Sequence, residues 1–208
     1  MAKETKIRIL DAAEVLFAEQ GYAQTSMRNI TARADVNLAS VNYHFGSKKN
    51  LIQHVLKRYF DVLMPQIDSV IAELPAQRGA IGVETVLLSL VPPMMTLSEL
   101  RPNGTERFVQ LLGRGYTETQ GHLRRFIMTG YGATVVRLMD AIHCCLPDIA
   151  DDELFWRTHF AMGSFVFSMA SSQALTEIAE ADFDQQVSIK DVILHMVPFM
   201  ANGIAGSR

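Results

Sequence analysis

Apolar residues recur at steps of three and four along most of this chain, and no segment carries the period-two alternation of a half-buried strand. That spacing restricts the fold to packed amphipathic helices. In the first segment, Lys3 to Gln20, residues Ile7, Leu10, Ala13, Leu16 and Phe17 share one face with charged residues between them, and Gly21 ends the run. A second, short helix is expected from Ser26 to Ala34, with Thr25 as its N-cap and Ile30 and Ala34 facing inward. After a tight connection at Asp35 and Val36, Asn37 caps a third helix to about His44, with Val41 and Phe45 spaced to meet the first two. Ser47 caps a fourth that runs to about Leu74 on Leu51, Val55, Leu56, Val62, Leu63 and Ile67. Pro65 inside it predicts a kink or break, because an internal proline removes a hydrogen bond and clashes one turn back.

Helical patterns recur from Val83 to about Leu100, Thr105 to Tyr116, Gly121 to Leu146, Asp152 to Ala179 and Ser188 to Ile204. They are separated by Pro92-Pro93, Pro102-Asn103-Gly104 and Leu146-Pro147-Asp148. The expected fold class is all-α. A three-helix unit over 1–47 precedes a helical domain over 48–208, and helix 48–74 joins the two.

With 49% hydrophobic and 20% charged residues over 208 positions, the chain has ample apolar side chain for a core, which excludes intrinsic disorder. No run reaches the roughly 18 uninterrupted apolar residues of a membrane span, and the opening MAKETKIRIL has no signal-peptide core, so a cytoplasmic protein without a membrane role is expected. The two cysteines, Cys144 and Cys145, are adjacent and cannot make a disulfide framework. The net charge of −3 hides an asymmetry: residues 1–58 carry nine Lys/Arg and five Asp/Glu, giving +4, and the remainder carries −7. A small basic module thus precedes a larger acidic one.

The basic module holds an inversion of the usual helix rule. A helix N-terminus carries partial positive charge and prefers acids, yet Ser47 is followed by Lys48 and Lys49, and Arg28 stands in the first turn of the second helix. Such ends suit an anion, where free amides, dipole and side chains act together. Between them lies Asn37-Leu38-Ala39-Ser40-Val41-Asn42-Tyr43-His44-Phe45, a helix whose outward positions include no acid. Asn42 has the groups to read an adenine edge, Leu38 and Ala39 can touch thymine methyls, and Ser40, Tyr43 and His44 can donate to phosphate. A solvated helix face with one half-buried aromatic would read the same way by composition alone.

The segment from Ile9 to Leu51, and Tyr43-His44-Phe45 followed by Lys48 most specifically, resembles the TetR-type one-component transcriptional regulators. The resemblance implies a helix-turn-helix whose recognition helix runs from Leu38 to His44. Arg28, Leu38, Ala39 and Asn42 would approach bases, while Thr25, Ser40, Tyr43, His44 and Lys48 would hold phosphates; the charge at the helix end adds Lys49 to the phosphate contacts. Asp35 departs from the family, which usually has glycine there, but Asp tolerates the left-handed conformation better than most residues.

For the second module the resemblance implies a helical domain that binds a small effector and pairs with a second subunit. Phe155, Phe160, Met162, Phe167 and their neighbours put apolar side chains nearly all round one helix, with Gly163 allowing close approach. With Val192, Met196 and Phe199 on the last helix they would form either a four-helix homodimer interface or the protomer's own core. A dimer would set two recognition helices about 34 to 36 Å apart on a near-palindromic operator. The middle helices carry Met94, Phe108, Leu111, Leu112, Phe126, Met128 and Met139, which serve either an adaptable effector pocket or plain core, and Arg114 and His122 could meet an acidic head.

Gln120-Gly121-His122-Leu123-Arg124, Leu154-Phe155-Trp156-Arg157-Thr158-His159-Phe160, Ala179-Glu180-Ala181-Asp182-Phe183 and Met196-Val197-Pro198-Phe199 resemble the PsrA-type subgroup. That resemblance implies a repressor of its own gene and of fatty-acid degradation genes, released by a long-chain fatty acid or its acyl-CoA; the proline inside the connecting helix makes Pro65 the expected break between the DNA end and the ligand end of that lever. A different hydrophobic effector is the alternative. A helical module that binds no DNA and a lipid hydrolase are more distant rivals. No cofactor is expected, and no nucleophile elbow, phosphate loop or metal motif appears, so no enzyme is expected.

Overall fold

The computed structural model describes residues 2–118 and 120–206, with side chains at 3–114 and 121–206. The described residues form helices and no strand: α1 (Ala2–Gln24), α2 (Met27–Ala34), α3 (Leu38–Phe45), α4 (Lys48–Glu73), α5 (Val83–Ser89), α6 (Val91–Met95), α7 (Leu97–Leu100), α8 (Gly104–Glu118), α9 (Gln120–Cys145), α10 (Asp151–Ala170), α11 (Ser172–Phe183) and α12 (Ile189–Ala205). Helix α1 packs on α2, α3, α4 and α8, while α10 packs on α8 and α12, α12 on α5, and α9 on α4. One apolar core runs from Ile9 on α1 to Ile204 on α12.

The expected stops act through the chemistry that predicted them. Gly21 leaves helical geometry at φ 83° and ψ 168°, a conformation an L side chain rarely adopts. Asp35 closes α2 at φ 50° and ψ 54°, in the left-handed region. There Arg8 Nη2 donates to the carbonyls of Ala34 (2.6 Å) and Asp35 (2.7 Å) and to Asp35 Oδ2 (3.1 Å), tying the turn before α3 to α1. Ser188 caps α12 reciprocally with Asp191, whose carboxyl is held below its ordinary range by the Ser188 hydroxyl and amide.

Several expectations are corrected. Ser26, not Thr25, caps α2, accepting from the Asn29 amide at 3.0 Å. Helix α4 continues through Pro65 without a break, and Gln66 Nε2 donates to the Val62 carbonyl (3.1 Å) beside it. Residues 83–100 have the length and composition of a membrane-crossing helix, yet the chain divides there into α5, α6 and α7, with Pro92 and Pro93 opening α6. The helix expected from Asp152 to Ala179 breaks at Ser171 (φ −104°, ψ 11°), within a Ser-Ser pair of weak helix formers.

Gly104 opens α8 against the first residues of α7. A Cβ there would lie 1.8 Å from the Leu97 carbonyl oxygen, which is backbone and cannot step aside. Gly104→Ala is therefore expected to lower unfolding stability by about 1–3 kcal/mol, read from urea denaturation; an unchanged midpoint would contradict this packing.

Candidate nucleic-acid interface

Helix α3 is short, and two buried residues, Val41 and Phe45, anchor one side of it. The other side is fully presented: Leu38 is 44% and Tyr43 84% exposed, and Ala39 and Asn42 are exposed as well. Leu38 thus stands on the outer face and does not pack beside Val41. Asn37 Oδ1 accepts from the Ser40 amide (2.8 Å) and the Ser40 hydroxyl (2.9 Å), which fixes the start of the helix. His44 is half-buried between the rings of Tyr43 and Phe45, at 5.1 and 6.1 Å.

The charges around this face follow the inversion seen in the sequence. No acid stands in the first turn of α2, α3 or α4, whereas α10 opens with Asp151, Asp152 and Glu153. Arg28 and Lys49 are exposed. Lys48 is held: its Nζ lies 4.3 Å from the centre of the Tyr22 ring and 3.3 Å from the Ala23 carbonyl. Tyr22 was not singled out from the sequence, although its place just after the Gly21 break is a usable signal. Thr25 is a correction. Its side chain is completely buried and its hydroxyl donates to the Leu16 (3.0 Å) and Gly21 (2.7 Å) carbonyls, so it fixes the α1–α2 junction and has no group to offer a phosphate.

Two family models match the chain. Residues 9–55 match the bacterial regulatory proteins of the tetR family, and residues 89–203, more than half of the chain, match the tetracyclin repressor-like C-terminal domain. The chain belongs to the TetR family of bacterial regulatory proteins. Its family is thus one of transcription regulators and not of enzymes. This TetR-family chain is 30% identical over 91 residues to the probable HTH-type transcriptional regulator YttP of Bacillus subtilis, covering 44% of this chain and 42% of that one. It is 40% identical over 58 residues to IcaR of Staphylococcus aureus, the negative transcriptional regulator of the biofilm operon icaADBC, covering 28% and 31%. The chain therefore spans less than half the length of these curated relatives where it matches them. The fatty acid degradation regulator FadR of Bacillus halodurans has a similar fold, with a TM-score of 0.58 at 14% identity over 94% of each chain.

Several of the side chains expected to line one effector pocket belong to the packed core. Phe108 and Leu111 are 1% exposed and belong to the core. The Phe108 ring lies 5.3 Å from Tyr59 and 5.4 Å from Phe60, and Phe60 in turn faces Phe126 at 6.3 Å. Met94, Leu112 and Phe126 pack partly buried on the same core, Met139 is half-buried, and Met128 is 43% exposed. The spacing that marks an adaptable pocket is also that of a packed core, and Phe108 and Leu111 are core residues. An open cleft of about 550 Å³ lies elsewhere, lined by Cys145 to Ala150, Glu153, Arg157 and Ala205.

Half-buried Arg114 and His122 lie at the α8 to α9 side. The His122 ring sits 5.6 Å from Tyr22, so it touches the basic unit. Burial, then the nearby Lys49 charge, holds His122 below its ordinary pKa. The unfolded chain therefore binds this proton more readily than the folded one. Stability present above about pH 6.5 is lost as pH falls through that unfolded value toward the depressed folded one. His122→Gln is expected to flatten the melting temperature between pH 7.5 and 5.5, as followed by circular dichroism; an unchanged slope would remove His122 as its source.

On α10 and α12, Phe155, Phe160, Phe167 and Phe199 are 50 to 68% exposed, Met162 is 47% exposed, and Gly163 has open space beside it. Trp156, 56% exposed and stacked at 6.0 Å on Phe160, extends this surface. Met196 is corrected: at 9% exposure it belongs to the protomer's own core, and Val192 is half-buried.

Proposed function

We propose that this regulator binds double-stranded DNA as a homodimer and represses transcription from a near-palindromic operator. The observation that carries the reading is the α3 face itself, with Leu38, Ala39, Asn42 and Tyr43 outward, no acid among them, and Arg28 and Lys49 exposed alongside. In this reading α3 enters the major groove, Arg28, Leu38, Ala39 and Asn42 approach base edges, and Ser40, Tyr43, His44, Lys48 and Lys49 contact phosphates. Lys48 would exchange its ring and carbonyl partners for phosphate. Repression is supported by the negative role of the Staphylococcus relative.

The homodimer is proposed to form through the aromatic faces of α10 and α12. Five exposed aromatic side chains on two helices that pack together are more than a monomer ordinarily leaves uncovered.

The proposed effector is a long-chain fatty acid or its coenzyme A thioester. The PsrA-type segments on α9 to α12 support it, as does the fatty-acid role of the Bacillus halodurans protein of similar fold. A chain-like ligand entering among α4, α8 and α9 must separate Phe60, Phe108 and Phe126, and so must move α4, which carries Lys48 and Lys49 at its far end. A hundredfold release of DNA requires the ligand to favour the DNA-incompetent state by about 2.8 kcal/mol.

The test is fluorescence anisotropy of the protein on DNA from upstream of its own gene, with oleate or oleoyl-coenzyme A titrated into the preformed complex. Release by one ligand supports the lipid assignment and distinguishes the head group. Binding unaffected by either ligand would overturn the lipid assignment while leaving the DNA reading standing.

A further inference from the structure

Glu14 occupies a position on α1 where the apolar stripe of Leu10, Ala13 and Phe17 would ordinarily place a hydrophobic residue, and its side chain is completely buried. Three guanidinium groups from three other parts of the chain converge on it. Arg58 Nη1 of α4 reaches Oε2 at 3.3 Å, Arg101 Nε, just after α7, reaches Oε1 at 3.2 Å, and Arg107 Nη1 of α8 reaches Oε1 at 3.3 Å. Asp11, one turn earlier on α1, takes Arg58 Nη1 at 2.8 Å and also pairs with Arg101. Burial works against the charge on Arg101, and Glu14 and Asp11 outweigh it, so its pKa lies above the ordinary guanidinium value.

A buried charge cluster of this kind adds little to stability, since well-packed apolar residues of equal volume serve as well or better. Geometry is what it adds. Apolar attraction is non-directional, whereas a carboxylate shared among three planar guanidinium groups is satisfied over a narrow range of orientations. Helix α1 also holds α3, through the core and through Arg8 at the turn before it.

We propose that Glu14 is a positioning residue for DNA recognition: the three-arginine clasp locks α1 to α3 at one angle on α4 and α8, and thereby sets the separation of the two recognition helices in the dimer. The inference rests on the dimeric DNA-binding reading above. It places the coupling between effector domain and operator in α1 and α8 as well as in α4, because any shift of α8 acts on Glu14 directly through Arg107.

The test uses the full chain with Cys144→Ser and Cys145→Ser, spin-labelled at Arg33→Cys on the exposed end of α2, and compares Glu14→Gln, Arg107→Gln and Arg107→Lys. Electron–electron double resonance reads the distance between the two labels in the dimer. Anisotropy reads affinity for a full operator and for a single half-site. The expected result is a broadened distance distribution for Glu14→Gln and Arg107→Gln, about a tenfold loss on the full operator, and less than a twofold change on the half-site. Arg107→Lys, which keeps the charge, restores part of the loss. Should Glu14→Gln fail to fold, the partly exposed Arg107 carries the test alone. An unchanged distance distribution and an unchanged ratio of full-site to half-site affinity in the folded variants would overturn the clasp. Absence of a dimer or of operator binding in the unsubstituted protein would be a failure of the underlying reading, and the inference would fall with it.

Discussion

Phe160→Asp is expected to convert the dimer to monomers and to weaken operator binding by about a hundredfold or more. Phe160 is 68% exposed, stacks on Trp156, and lies two turns before Phe167 on the same face of α10. The substitution removes a large apolar group and places a carboxylate where two copies of the same helix would meet. In a two-fold interface the charge appears twice, and burying unpaired charge is costly. Each monomer keeps its α3, so half-site affinity survives while the gain from linking two half-sites is lost. Sedimentation velocity gives the oligomeric state and anisotropy the affinity. A Phe160→Asp protein that remained dimeric would move the interface away from α10.

Asn42→Ala is expected to lower affinity for the operator about 5- to 150-fold while leaving binding to unrelated DNA nearly unchanged. Asn42 is exposed on α3 beside Ala39 and Tyr43, and an amide there can pair in bidentate fashion with one base and with no other equally well. Lys49→Ala supplies the contrast. It removes one exposed cation assigned here to phosphate, so both kinds of DNA should weaken alike and the salt dependence of binding should become shallower. Competition titrations at two salt concentrations separate the two patterns. Equal losses from both substitutions on both DNAs would remove Asn42 from base readout.

What the sequence made legible was whatever local chemistry determines. The caps at Asn37 and Ser47, the break at Gly21 and the left-handed Asp35 depend on one residue and its near neighbours, and each stands where it was expected. So does the inward pair Val41 and Phe45, which leaves the outer face of α3 by elimination. Thr25 and Ser26 are both good caps, and only the packing of α1 decides which hydroxyl is taken inside. Phe108 and Leu111 have the periodicity of a pocket wall and of a core alike, so their burial was undetermined until α4 and α9 were in place. Pro65 illustrates the limit of a propensity argument. Its cost is real, yet packing of the buried residues Leu63 and Ile67 on either side keeps α4 helical through it. The Glu14 clasp unites residues up to 93 positions apart, and its one local trace is an acid on the apolar stripe of α1.

The central claim is that the α3 face reads DNA sequence. Its most direct test is selection of duplexes from a random-sequence pool by the unmodified protein at near-physiological salt, followed by sequencing. The expected result is enrichment of one near-palindrome whose half-sites lie about one helical turn apart, or a whole multiple of it, with affinity that falls steeply as salt rises. A selected pool indistinguishable from the input, or retention insensitive to salt, would contradict it.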